Sequence, residues 1–179
     1  MGIFRRLPPR QQVAQVYAIT VLLLYSWTTL WFLWKLPSWL GFLNTGEILT
    51  IAAYSLATNF IESLAVLSAP VILALALPDA WFRRVFVARG SALMMTGIGA
   101  MMVLTYQYTN KDELPQLLRS AWPPALMLFV VAAGVYFAGR VRLLRWGLEG
   151  LADRATIFLY ASVPLSILSL LVIAVRWLG

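Results

Sequence analysis

The stretch Ile48–Leu77, ILTIAAYSLATNFIESLAVLSAPVILALAL, constrains this chain more than any other. It has no basic residue and a single acid across thirty positions. A run this long and apolar is suited to hydrocarbon, where the backbone must satisfy its own hydrogen bonds, and that selects a helix. Within it Ser55, Asn59 and Glu62 follow one another at i, i+4 and i+7, so they share one helix face. Glu62 is the only acid inside any long apolar run of the chain. A bare carboxylate in hydrocarbon is costly, so it is expected to point into a protein interior, find a partner, or be protonated.

With four further apolar runs, spans are expected at about 13–34, 48–77, 91–107, 122–138 and 156–177. The expected fold is an all-α integral membrane protein, a bundle of five transmembrane helices forming one domain over 1–179. Charged residues make up 12% of the chain, against roughly 25% in a soluble domain. The chain has no Cys and no His. That removes disulfides, iron–sulfur clusters, thiolate metal sites and the usual axial ligand of a membrane haem. No cofactor or metal is expected, and the six Met residues read as packing.

Arg5, Arg6 and Arg10 precede the first span, and no small-residue cleavage site follows it, so it reads as an uncleaved signal anchor. Trp27, Trp31, Trp34 and Trp39 mark its far end as a membrane–water interface. Residues 35–45 read as a loop, with Asn44 or Thr45 capping the second helix and Glu47 favourable to its dipole. Residues 78–90 read as a short cytoplasmic connection whose Trp81, Phe82 and Phe86 are available to lie in the interface. In the third span Ala92, Thr96 and Ala100, beside Gly97 and Gly99, form a small-residue face, and Gly134 and Ala138 form another on the fourth. Residues 140–154 read as a cytoplasmic interfacial helix, and the fifth span carries Ser162, Ser166 and Ser169.

Charge distribution orients the bundle. Ten of the fourteen basic residues fall in three segments on one side, and only Lys35, Lys111, Arg119 and Arg176 on the other. The positive-inside rule then puts the N-terminus in the cytoplasm and the C-terminus outside, in the inner (plasma) membrane as a multi-pass protein. The same rule explains the net charge of +7 better than nucleic-acid binding does, so no nucleic-acid partner is expected.

The seam Ser55, Asn59 and Glu62 has three readings: an ion, proton or substrate site, a contact with a partner subunit, or interhelical packing. In the last, Glu62 would be protonated or bonded to Ser166, Thr96 or Tyr106. Arg83, Arg84, Arg140, Arg142 and Arg145 are candidate contacts for anionic lipid. The scattered acids Glu47, Asp112 and Glu113 make no metal site, and no phosphate-binding or nucleophile motif is present, so no enzyme is expected. In helix count and orientation alone, the chain resembles the membrane module of envelope phosphoglycerol and phosphoethanolamine transferases. The expected partners are the lipid bilayer and other membrane subunits, or further copies of this chain. The expected role is a non-catalytic subunit of a larger membrane complex. The alternatives are a small oligomeric channel or transporter component built on Glu62, and a membrane module for lipid binding or for a separate envelope enzyme.

Overall fold

The computed structural model describes residues 7–108 and 122–178, with 107, 108, 122, 123 and 178 described by backbone alone. Arg5, Arg6 and the polar stretch 109–121, with Lys111, Asp112, Glu113 and Arg119, lie outside the described residues. Among the described residues there are five α-helices and no strand: α1 Arg10–Trp39, α2 Thr45–Ala76, α3 Phe86–Tyr108, α4 Trp122–Arg140 and α5 Arg142–Leu178. A 3-10 turn, Arg83–Val85, leads into α3. Arg10–Trp39, Thr45–Ala76, Arg83–Tyr106 and Arg142–Trp177 are each long and apolar enough to cross a membrane, and α4 is a shorter apolar helix.

The helix ends follow local chemistry. Asn44 caps α2 in a reciprocal box: its Oδ1 accepts from the Glu47 N–H at 2.9 Å, and its own N–H donates to Glu47 Oε2 at 2.8 Å. This satisfies two donors that a helix start otherwise leaves open. Pro78 follows the extended Leu77 and prevents α2 from continuing.

Two boundaries differ from the expected ones. α1 runs through Pro37 to Trp39 instead of giving way to a loop at residue 35. Near the end of a helix a proline removes a single i−4 bond, and Leu40 still donates to the Leu36 carbonyl at 3.0 Å. The interfacial helix expected at 140–154 and the span expected at 156–177 belong to one helix of 37 residues, roughly 55 Å long. Gly147 and Gly150 lower helix propensity there without ending it.

α1 occupies the middle of the bundle, touching α2, α3 and α5, whereas α4 lies outermost and leans chiefly on α3. The tightest core sits at the end where α1, α3 and α5 begin and α2 stops. Val16, Ile19, Ala74, Phe82, Phe86, Val87, Met94, Ala152 and Ala155 are buried together there. Phe82 and Phe86, expected in the interface, are 0% and 1% exposed and meet edge to face at 5.9 Å. The 3-10 turn directs both rings inward, and only Trp81 remains half-exposed.

Close approach depends on glycine at two crossings. A Cβ on Gly90 would lie 2.9 Å from Val16 Cγ2, and one on Gly134 would lie 2.7 Å from Thr96 Cγ2. Gly134 and Thr96 thus bring the two expected small-residue faces together, whereas Gly97 and Gly99 have nothing within 4 Å of a Cβ position. The outer surface is apolar over much of its length, with Leu30, Leu33, Leu128, Phe129, Val172 and Val175 exposed. Such an exterior suits hydrocarbon as solvent.

Gly134→Val places a branched side chain against Thr96 and is expected to destabilise the bundle by about 1–3 kcal/mol. Gly99→Ala enters open space and is expected to change stability by less than about 0.5 kcal/mol. Unfolding in a detergent series, followed by circular dichroism, measures both.

Candidate functional site

Three polar side chains of α1 reach its neighbours within the bundle, and a fourth, Gln15, reaches Asp153 of α5 at the surface. Tyr17 pairs with Ser63 of α2 at 3.1 Å, and because the Ser63 hydroxyl donates to the Phe60 carbonyl, the tyrosine is the donor. By the same logic Tyr25 donates to Ser166 of α5, whose proton is directed to the Ser162 carbonyl. Thr28 donates to Asn59 Oδ1 of α2 at 2.9 Å. Ser162, Ser166 and Ser169 are all buried and bond to carbonyls of their own helix.

Ser55, Asn59 and Glu62 line one groove of about 450 Å³ on the flank of α2, together with Thr28, Thr50, Ile51, Tyr54 and Thr58. Their situations differ. Ser55 donates to the Ile51 carbonyl at 2.8 Å. Asn59 is 4% exposed, with its Nδ2 sealed from water and without an acceptor among the described residues. Glu62 is exposed, and no ion pair or hydrogen bond reaches it among the described residues.

The interior partners expected for Glu62 do not meet it. Ser166 bonds to Tyr25, Thr96 donates to the Ala92 carbonyl and faces Gly134, and Tyr106 is exposed. Helix geometry explains this. The buried stripe of α2 runs through Asn59, Ser63, Pro70 and Ala74. Glu62 precedes Ser63 by one residue, about 100° around the helix, and so turns outward. At the open end of the groove, Arg176 Nη1 of α5 donates to Thr50 Oγ1 at 2.6 Å. A second groove, of about 530 Å³, lies between α1 and α5 and includes Gln15 and Asp153, which are 3.3 Å apart.

The five arginines proposed for lipid contact gather at the end of the bundle that holds the tight core, but not on equal terms. Arg83, itself half-buried, pairs with the exposed Asp79 at 2.8 Å, and Arg145 pairs with Glu149 at 2.9 Å at the surface; such i,i+4 pairs are worth a few tenths of a kcal/mol. Arg140 lies over the Tyr136 ring at 5.5 Å. Arg84 and Arg142 are exposed and have no partner among the described residues.

The sequence reading did not single out Arg89. Its side chain is 7% exposed, with Nε and Nη1 sealed and without an acceptor among the described residues. Its guanidinium is held between the Trp81 ring, 4.9 Å away, and Gly139 in the last turn of α4, where a Cβ would collide with it. The ring and the helix C-terminus each favour a cation by about 1 kcal/mol. A desolvated unpaired charge costs several kcal/mol, so they offset only part of it. One sequence signal does exist: Phe82, Phe86 and Arg89 are spaced i, i+4, i+7, which puts the arginine on the core-facing side.

Among the described residues these features define an all-helical fold with several helices able to cross a membrane, a groove holding Glu62 and a basic end. Compared with family models, curated proteins and solved structures, the chain matches none.

Thr28→Val leaves the whole Asn59 amide unpaired and is expected to destabilise by about 1 kcal/mol or more. Tyr17→Phe is expected to have a smaller effect, near the average of about 0.6 kcal/mol for bonds between membrane helices. Ser63 keeps its bond to the Phe60 carbonyl in that variant. The same unfolding measurement ranks the two.

Proposed function

We propose that this chain is a non-catalytic integral subunit of a larger membrane protein complex, seated in the inner (plasma) membrane. In this reading all five helices span, the arginine-rich end lies in the cytoplasm, and the C-terminus lies outside. The charge distribution supports the orientation, because basic residues are retained on the cytoplasmic side.

One observation carries the subunit reading. Glu62 stands halfway along an apolar helix, on its exposed flank, beside a buried asparagine with an unpaired donor. Facing bare lipid, that carboxylate is unfavourable by several kcal/mol. Against a neighbouring transmembrane helix with a basic or hydrogen-bonding side chain at the same depth, it becomes a recognition point. The groove is a shallow recess on the flank of α2, so a single copy encloses no pore around Glu62. A channel built on this residue would need a ring of copies.

A photo-crosslinking phenylalanine analogue at Thr58, which is exposed in the groove, tests this in native membranes. The expected product is an adduct with one other integral membrane protein. That adduct is lost in Glu62→Lys and is not formed from the analogue at Leu128, on the exposed side of α4. Adducts between copies of this chain alone, or none, would contradict the heteromeric reading.

A further inference from the structure

We infer that Arg89 and Arg140 form a binding site for the phosphodiester headgroup of an anionic phospholipid. The argument starts from the counter-charges. Among the described acids, Glu47 closes the Asn44 cap, Asp79 pairs with Arg83, Glu149 pairs with Arg145, Asp153 accepts from Gln15, and Glu62 belongs to the α2 groove. The other two, Asp112 and Glu113, lie outside the described residues, in the sequence between α3 and α4. No described carboxylate is therefore left for Arg89 or for Arg140.

The two arginines are also neighbours. Gly139 touches the Arg89 guanidinium, and the positive charge of Arg140 acts repulsively on it. Two adjacent cations with no internal anion are relieved by an external one, and a phosphate offers both the charge and several acceptors for guanidinium donors. Lipid is favoured over a free anion by what surrounds the pair. Trp81, Tyr136, Phe137 and Val141 are all substantially exposed there, giving acyl chains an apolar surface and the interface its aromatic rings. The glycine at 139 lets the guanidinium reach the last turn of α4, so lipid binding would also fasten α4 to α3.

The site rests on the membrane reading above but not on any partner, so it is tested on the purified full-length chain alone. Native mass spectrometry in neutral detergent would compare retention of phosphatidylglycerol and phosphatidylcholine. The wild-type chain should prefer phosphatidylglycerol, and Arg140→Gln should weaken that preference about fivefold, the effect of one interfacial arginine. Arg89→Gln should do the same, while Arg10→Gln, exposed at the start of α1, should not. Because Arg140 is exposed, its variant is not expected to disturb folding, and thermal unfolding verifies this. Equal retention of both lipids by the wild-type chain would overturn the proposal, as would an undiminished preference in folded Arg140→Gln. Inorganic phosphate raising the unfolding temperature as much as phosphatidylglycerol would overturn the lipid assignment in favour of a free anion. Crosslinking at Thr58 is independent of all these outcomes, so failure here would leave the subunit reading standing.

Discussion

In hydrocarbon the hydrophobic effect does not pull helices together, because lipid tails are as apolar as leucine. Association then depends on close backbone approach and on hydrogen bonds that have no better partner nearby. In this chain the hydrogen bonds between helices are concentrated on α1, while close approach is shared between α1–α3 and α3–α4. Val16 lies against Gly90 of α3, Tyr17 and Thr28 bond to α2, and Tyr25 bonds to α5. α2 barely meets α3 and α4 rests mainly on α3, so α1 and α5 together join the parts of the bundle.

Among the described residues, and besides the Ser91 hydroxyl, satisfying the interior in this way leaves two places unbalanced, and they differ in kind. Glu62 faces outward from the middle of α2, with the sealed Asn59 amide beside it, and in the proposed membrane setting a neighbouring helix is what can meet the carboxylate at that depth. Arg89 is enclosed at the basic end, beside aromatic rings and the C-terminus of α4. A chain that folded to act alone would have little reason to retain either. In the proposed role their placement suits assembly, with a protein surface along α2 and a lipid headgroup at the α3–α4 junction.

Helix identity was readable from the sequence because apolar runs report the surrounding solvent directly. Helix limits were less readable, because hydropathy reports environment and not backbone continuity. Thus residues 142–154, with five charged side chains among leucines, continue without a break into the apolar part of α5. Residues 35–45, which contain Pro37, read as a loop, although near a helix terminus a proline removes only one bond. The seam on α2 was readable from its spacing, and all three residues line one groove. Its direction was not, because that depends on which stripe of α2 meets α1, and Ser63 decides it through Tyr17. Arg89 was counted only as a topogenic charge. Recognising its burial required knowing that Phe82 and Phe86 turn inward.

The chain contains no cysteine, so a spin label can be attached at a single introduced thiol without altering any native residue but one. With Thr58→Cys labelled in the gently purified assembly and placed in lipid nanodiscs, collision rates with oxygen and with a water-soluble nickel chelate report what covers the groove. Covering by a partner helix predicts low rates with both probes, rising sharply for oxygen when the chain is separated from its partner. A high oxygen rate already in the assembly would mean that Glu62 faces bare lipid, and a high nickel rate would mean that it lines a water-filled path. Either result would contradict the central claim.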